Sequence, residues 1–347
     1  MDEPDRRTRR VPGVRLVGLL AALGLLVAVL ALPSVHTAFS ATKGTLPSSL
    51  AADHLQPPSG LTVTQTCSYA PITMRGALPS TGMSPLALSL PAGTQAGDVL
   101  VAQVAYYGAS PLTAPSGWTL VRADTSASVV TTAVYWKVAA AGEPAASFAR
   151  PSTESGDMVG GIVAYSGVSA SAPVSASGGA TGAGDTATSP ALTTTATGAV
   201  AVHLMARSGM QPATSTGLRE LWTRSSDSES VTAFDESLAG PGAVPQRSST
   251  TSGSTTAWIA QTVVLRPALQ QVGASLSWGP TPSTWADGYK GERVVGGVVY
   301  GPTTVPFGTT TASDTGLANG TTYTYRVRAY RGAWVSSDVT STLTPSC

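Results

Sequence analysis

Three histidines, one group of carboxylates and an isolated aspartate are the first side chains to weigh for acid–base or metal chemistry in this sequence. His36, His54 and His203 lie far apart. His203 stands in the apolar run VAVHLMA without a spaced His or Cys companion, so metal ligation gives way to a core or edge histidine. Asp227, Glu229, Asp235 and Glu236 gather around one apolar run; two carboxylates suffice for glycoside hydrolysis, but a solvated acidic strand edge is the simpler reading. Asp98, after Gly97, reads as a turn residue ahead of Val99 rather than as a calcium ligand. Neither a G-x-S-x-G elbow nor a phosphate-cradling glycine loop leading into a helix occurs. No catalytic residue, metal site or cofactor is assigned, and the expected protein is not an enzyme. Glycosidase chemistry is the alternative that sequence spacing leaves open.

The elements that carry these residues are short, β-branched apolar runs at 86–90, 99–107, 129–139, 158–168, 200–206 and 258–267, separated by Gly, Pro, Ser and Asp. Strand-length runs between turn residues, with no sustained helical period, predict an all-β antiparallel sandwich. The Gly-rich 175–184 and the Ser/Thr-rich 248–256 read as long polar loops. Trp118, Trp136, Trp222 and Trp258 are assigned to the core or its rim, and Tyr106 and Tyr107 to opposite faces, so that one is exposed.

Arg6, Arg7, Arg9, Arg10 and Arg15 precede an uncharged run rich in Leu, Ala and Val at 16–32, which ends at Pro33. This is the pattern of a secretory signal, with Ala38-Phe39-Ser40 offering a cleavage site before Ala41. An uncleaved N-terminal signal/anchor helix over 16–32, with the body outside, is the alternative. Either places the body outside the cell or on its surface, with membrane contact only through 16–32. Removing 1–40 takes five arginines against Asp2, Glu3 and Asp5 and leaves fifteen basic and sixteen acidic side chains. That balance gives no electrostatic footprint for nucleic acid or for an anionic membrane surface. Leu78-Pro79-Ser80-Thr81-Gly82 matches a wall-sorting pentapeptide, but 265 residues follow it where that signal requires a C-terminal position, and it is assigned to a turn.

The stretch DTGLANGTTYTYRVRAY at 314–330 resembles the E–F corner and F strand of a fibronectin type III domain, and PPSGLTVTQTC at 57–67 resembles that domain's first strand. Between them, PAGTQAGDVLVAQVAYYG, APSGWTLVRADTS, AVYWKVAAAGEPAASF, GGIVAYSGV and WIAQTVVLRP follow in an order similar to a jelly-roll module of exported bacterial proteins. The resemblance implies a signal peptide or anchor at 1–40, a linker at 41–56, strand A at 57–67, an inserted jelly-roll-like domain at 68–267 in the A–B loop, and the remaining sandwich at 268–347. First and last strands of a jelly roll lie side by side, so both ends of such a guest meet neighbouring points of the host.

The same resemblance implies Leu61 and Val63 on strand A, Leu276 and Trp278 on strand B with Trp278 in the core, and Tyr289 on strand C. Leu317 and Tyr323 frame the corner, with Asn319 where the family has proline, and the Tyr323 hydroxyl bonds backbone. Tyr325, Val327 and Ala329 share one face of strand F. The ends of strands A and G then share a pole, which pairs Cys67 with Cys347 as a disulfide in an oxidising setting; two free or intermolecular thiols are the alternative. Trp285, near the B–C turn, and Trp334, near the F–G turn, share the opposite pole and are candidates for stacking on a sugar ring, against packing on strands C and G. Arg331-Gly332-Ala333 lacks the carboxylate of the integrin-binding tripeptide.

The functional expectation is an exported, non-enzymatic surface or matrix protein that binds or displays through β-sandwich modules. Its partners would be a polysaccharide, a cell-wall glycan or another surface protein. A carbohydrate-binding accessory protein of polysaccharide degradation and a structural subunit of a surface filament or layer are the alternatives.

Overall fold

A computed structural model describes residues 54–151, 156–210, 214, 217–252 and 256–347. The expected signal or anchor at 1–40, its cleavage site, His36 and most of the 41–56 linker lie outside the described residues. Among those described there are strands and no helix, and so none long and apolar enough to cross a membrane.

The first strand, β1 (Ser59–Tyr69), is followed by β2 (Thr73–Met83), β3 (Leu86–Leu88), β4 (Val99–Tyr106), β5 (Thr119–Ser126), β6 (Val130–Val138), β7 (Ala146–Phe148) and β8 (Asp157–Ser166). Strands β2 to β8 build a five-stranded sheet in the order β2-β8-β4-β6-β5, with the short pair β3-β7 beside it. A second series comprises β9 (Val174–Ala183), β10 (Thr186–Thr188), β11 (Leu192–Thr194), β12 (Val200–Ser208), β13 (Arg219–Ser225), β14 (Glu229–Ser237), β15 (Gly242–Val244), β16 (Ser248–Thr250) and β17 (Ala257–Leu265). It builds the sheet β9-β17-β12-β14-β13, with the short pairs β10-β16 and β11-β15.

These two series are one design used twice, about 100 residues apart. The ladder of β2 on β8 is broken between Met74 and Gly76, and that of β9 on β17 between Val174 and Ala176. A second break recurs between Leu120 and Arg122 on β5 and between Glu220 and Trp222 on β13. Val99, Val101, Val134 and Val163 of one sheet share a core with Val202, Leu204, Val231 and Val263 of the other. The outer face of the first sheet is covered in turn, with Leu86, Leu88 and Phe148 lying on Leu100, Val104 and Tyr135. A central strand such as β4 is thus buried on both faces along its length, which is why VLVAQVAY is a nearly continuous apolar run rather than an alternating one.

Several expectations change here. The 68–267 segment is not one jelly roll with its first strand beside its last, because β2 and β17 lie in different sheets. The side-by-side pairing occurs within each half instead, β2 on β8 and β9 on β17. The reason is that the turns join strands inside one sheet and the chain changes sheets between β8 and β9. Residues 175–184 are not a loop but most of β9. Its glycines answer to close approach, since a Cβ on Gly179 would run into the Arg122 and Asp124 side chains and one on Gly182 into the Trp258 ring. Part of 248–256 is likewise β16, bonded to β10. The LPSTG sequence is not a turn; it lies in edge strand β2, with Pro79 opposite Gly161, and an edge tolerates a proline that cannot donate to a ladder.

The remaining strands are β18 (Leu269–Gly279), β19 (Gly288–Val295), β20 (Val298–Pro306), β21 (Thr311–Thr315), β22 (Tyr323–Arg331), β23 (Trp334–Val335) and β24 (Val339–Leu343). β18 pairs with both β1 and β21, while β22 pairs with β19, β23 and β24, and β19 also with β20. The two sheets enclose Val272, Leu276, Trp278, Tyr289, Leu317, Tyr323, Tyr325 and Val327. Tyr69 of β1 lies opposite Leu269 of β18, and the Ala70 amide donates to the Ala268 carbonyl at 2.8 Å. Residues 69–70 and 268–269 are thus neighbours in space.

Candidate binding surface

The acidic group of β14 is structural. Asp235 and Glu236 are successive strand residues and project to opposite faces. Asp235, 2% exposed, accepts from the Tyr165 hydroxyl at 2.6 Å and from Arg219 Nε and Nη2 at 2.7 and 2.5 Å. Burial, reinforced by Asp235, pushes the Tyr165 hydroxyl well above its ordinary range. Glu236 accepts from Arg247 Nε and Nη2 at 2.8 and 2.5 Å and lies 3.1 Å from His203 Nε2, whose Nδ1 is 2.9 Å from Thr262 Oγ1. The Arg247 bonds hold the Glu236 carboxyl below the usual carboxylate range, and burial, opposed by Glu236, holds His203 below the ordinary imidazole value. Glu229 is fully buried against the Ser226 and Ser228 hydroxyls, and burial raises its carboxyl.

The expectation of a solvated acidic edge is therefore corrected for Glu229, Asp235 and Glu236, whereas Asp227, in the turn ahead of β14, is exposed. β14 runs between β13 and β12 rather than along an edge, and the sequence does not show which arginines will meet the carboxylates. A polar recess of about 300 Å³ touches Arg219, Asp235 and Glu236, but both carboxylates are held by arginine forks. Asp98 serves its turn, accepting from the Gln95 amide at 2.8 Å. Among the described residues no three His, Cys, Asp or Glu side chains gather as metal ligands.

The aromatic residues of the 269–347 sandwich divide between packing and display. Trp278 is buried edge-on against Tyr289 with ring centroids 5.5 Å apart. Leu317 is buried, and the Ala318 amide donates to the Tyr323 hydroxyl at 2.9 Å, closing the turn before β22. Cys67 and Cys347 are bonded, with Cα atoms 5.8 Å apart. On the flank between β20 and β21 a cleft of about 190 Å³ is lined by Trp278, Arg293, Tyr300, Asp314 and Tyr325. It is stoppered by Arg293, which donates to Asp314 at 3.0 Å and lies over the Tyr300 ring at 4.9 Å. Tyr325 donates to the same carboxylate at 2.9 Å.

Trp285 and Trp334 meet at one pole. Arg331 donates to the Trp285 carbonyl at 2.5 Å and lies over its ring at 5.5 Å, and Trp334 stands opposite Arg331 across the β22–β23 turn. They differ in availability. Trp285 is half-buried and packs partly on the core, whereas Trp334 is 67% exposed. Two apolar neighbours at this pole escape sequence reasoning: Val335, beside Trp334, and Phe307, whose amide donates to the Asp287 carbonyl at 3.0 Å. Both are exposed. Phe307 carried one legible signal, an aromatic residue between Pro306 and Gly308 where a turn wants a polar one. The Asp287 carboxylate accepts the Gly332 amide at 2.7 Å and ties the two turns together.

No protein-family model matches the chain, and no curated protein matches it.

Proposed function

We propose that the protein is an exported, non-enzymatic surface protein that binds through the pole carrying Trp285, Phe307, Trp334 and Val335. In this reading 57–67 and 268–347 form one fibronectin type III sandwich, and the duplicated body at 68–267 is a guest in its A–B loop. The pairing of β1 with β18, the Tyr323 hydroxyl at its corner and the Cys67–Cys347 bond support that arrangement. The bond also suits an oxidising location outside the cytoplasm.

One observation carries the functional part. Asp235 and Glu236 are engaged by arginines, and His203 by Thr262 and Glu236. Three of the exposed large apolar side chains, Phe307, Trp334 and Val335, lie on turns at one pole. An exposed apolar cluster with a polar rim marks a surface for a partner. A carbohydrate ligand is the second reading, favoured by the open ring of Trp334, on which the CH face of a sugar can stack.

The test is a pull-down of the protein on insoluble polysaccharides and purified cell wall, beside a Trp285→Ala, Trp334→Ala variant. Retention that the variant loses supports a glycan surface at this pole. Retention that the variant keeps overturns the assignment of binding to it.

A further inference from the structure

The cleft on the flank of the 269–347 sandwich reaches that sandwich's core. β20 ends one sheet and β21 the other, and among the described residues no strand pairs across the flank between them. The floor of the cleft is apolar, made by the buried Leu276, Trp278 and Val327 and the half-buried Val305. Its volume is about 190 Å³. An apolar cavity of about 150 Å³ holds a benzene molecule, so this one accommodates a single six-membered ring with a small substituent.

The polar groups at the mouth decide what that substituent is. Asp314 Oδ1 accepts from Arg293 Nη1 at 3.1 Å and from the Thr315 amide at 2.9 Å. Oδ2 accepts from Arg293 Nη1 at 3.0 Å and from the Tyr325 hydroxyl at 2.9 Å. Asp314 is therefore saturated, and Glu292, beside it in the lining, is paired with Arg328. The donors are less fully used. Arg293 reaches Asp314 through Nη1 alone, its Nε is buried without a partner, and its Nη2 bonds no group among the described residues. The Nε–Nη2 edge is one that forks a carboxylate, and a buried donor left unpaired costs free energy until an acceptor reaches it. The guanidinium lies 4.9 Å over the Tyr300 ring, whose hydroxyl is also open. The geometry points to a binding site for a small ring carboxylate, with its ring on the apolar floor and its carboxylate on the open edge of Arg293. A sugar would bring hydroxyl donors to a mouth whose nearest carboxylate is already saturated, and a cationic ligand would meet Arg293. This site shares no residue with the pole of Trp285 and Trp334 and stands apart from the reading of that pole.

The test is a titration of the full chain, labelled at its Leu and Val methyl groups, with benzoate and separately with benzyl alcohol, followed by NMR. The expected result is a saturable shift of the Leu276, Val305 and Val327 methyl signals with benzoate, while Val335 at the pole stays in place. Benzyl alcohol, which keeps the ring and lacks the charge, should bind about tenfold more weakly, the worth of one charge-assisted hydrogen bond. Arg293→Lys keeps the charge but not the planar fork and should weaken benzoate by about the same factor. Ala312→Leu, which fills the cleft from its β21 wall, should abolish the shifts. No saturable shift at the cleft, equal binding of the alcohol, or undiminished binding in either variant would overturn the inference. Shifts confined to Val335 would also overturn it, and would assign the ring to the pole instead.

Discussion

Breaking the Cys67–Cys347 bond should destabilise the 269–347 sandwich selectively, and the size of the effect follows from the loop it closes. The two cysteines are 280 residues apart. In the chain-entropy model a loop of that length, unfolded throughout, is worth about 5.6 kcal/mol. The relevant loop is shorter if the body at 70–268 stays folded, because its ends are held together where Ala70 meets Ala268 and Tyr69 meets Leu269. Only about 80 flexible residues then lie between the cysteines, and the same model gives about 4.5 kcal/mol. With a urea slope of about 2 kcal/mol per molar, that is a midpoint shift of about 2 M. The assay is urea unfolding of native protein and of Cys67→Ser, Cys347→Ser. Fluorescence follows both sandwiches, and a Trp278→Phe companion identifies the signal of the smaller one. The expected outcome is a large downward shift of the Trp278-dependent transition with the other transition in place. A shift below about 1 kcal/mol, or an equal shift of both transitions, would refute the reasoning.

Three other outcomes follow. His203 is held below its ordinary value of 6.5 and Glu236 below 4.5, so the native state binds fewer protons than the unfolded chain. Stability should be full above about pH 7 and fall as pH drops, first through the histidine and then through the carboxylate. His203→Gln should flatten the fall between about pH 7 and 5 in pH-dependent denaturant midpoints. Gly179→Val should cost about 1–3 kcal/mol, measured by chemical denaturation, because the new side chain displaces the Arg122–Asp124 pair to which Gln261 is bonded. Trp334→Ala should leave the midpoint unchanged within about 0.5 kcal/mol, because the ring is largely in solvent, whereas Trp285→Ala should lower it.

Much of the all-β architecture is legible along the chain, unevenly and for physical reasons. Runs such as 99–107 and 200–206 announce buried strands because both faces of β4 and β12 are covered and nearly every position is apolar. β9 is hidden because its glycines are selected by neighbouring side chains that lie across the strand, so it imitates a linker. β2 is hidden by Pro79, a residue compatible with an edge but usually read as a turn. The duplication leaves positions rather than residues in common: Gln103 lies opposite Gly161 in the first sheet, and Leu204 opposite Gln261 in the second. The carboxylates at 235 and 236 look solvated in sequence because Arg219 and Arg247 are brought to them only by the ladder and the β15–β16 turn. A shared pole for Trp285 and Trp334 is what the resemblance to a fibronectin type III domain implies. Arg331 over the first ring and the company of Phe307 and Val335 depend on contacts between three separate turns.

The most direct test of the binding face is hydrogen exchange read by mass spectrometry on the protein bound to isolated cell envelopes, compared with the protein free in solution. The account predicts added protection confined to the turns at 281–287, 306–310 and 331–335. Protection instead along the edge strands β5 and β13, or none at all, would contradict it.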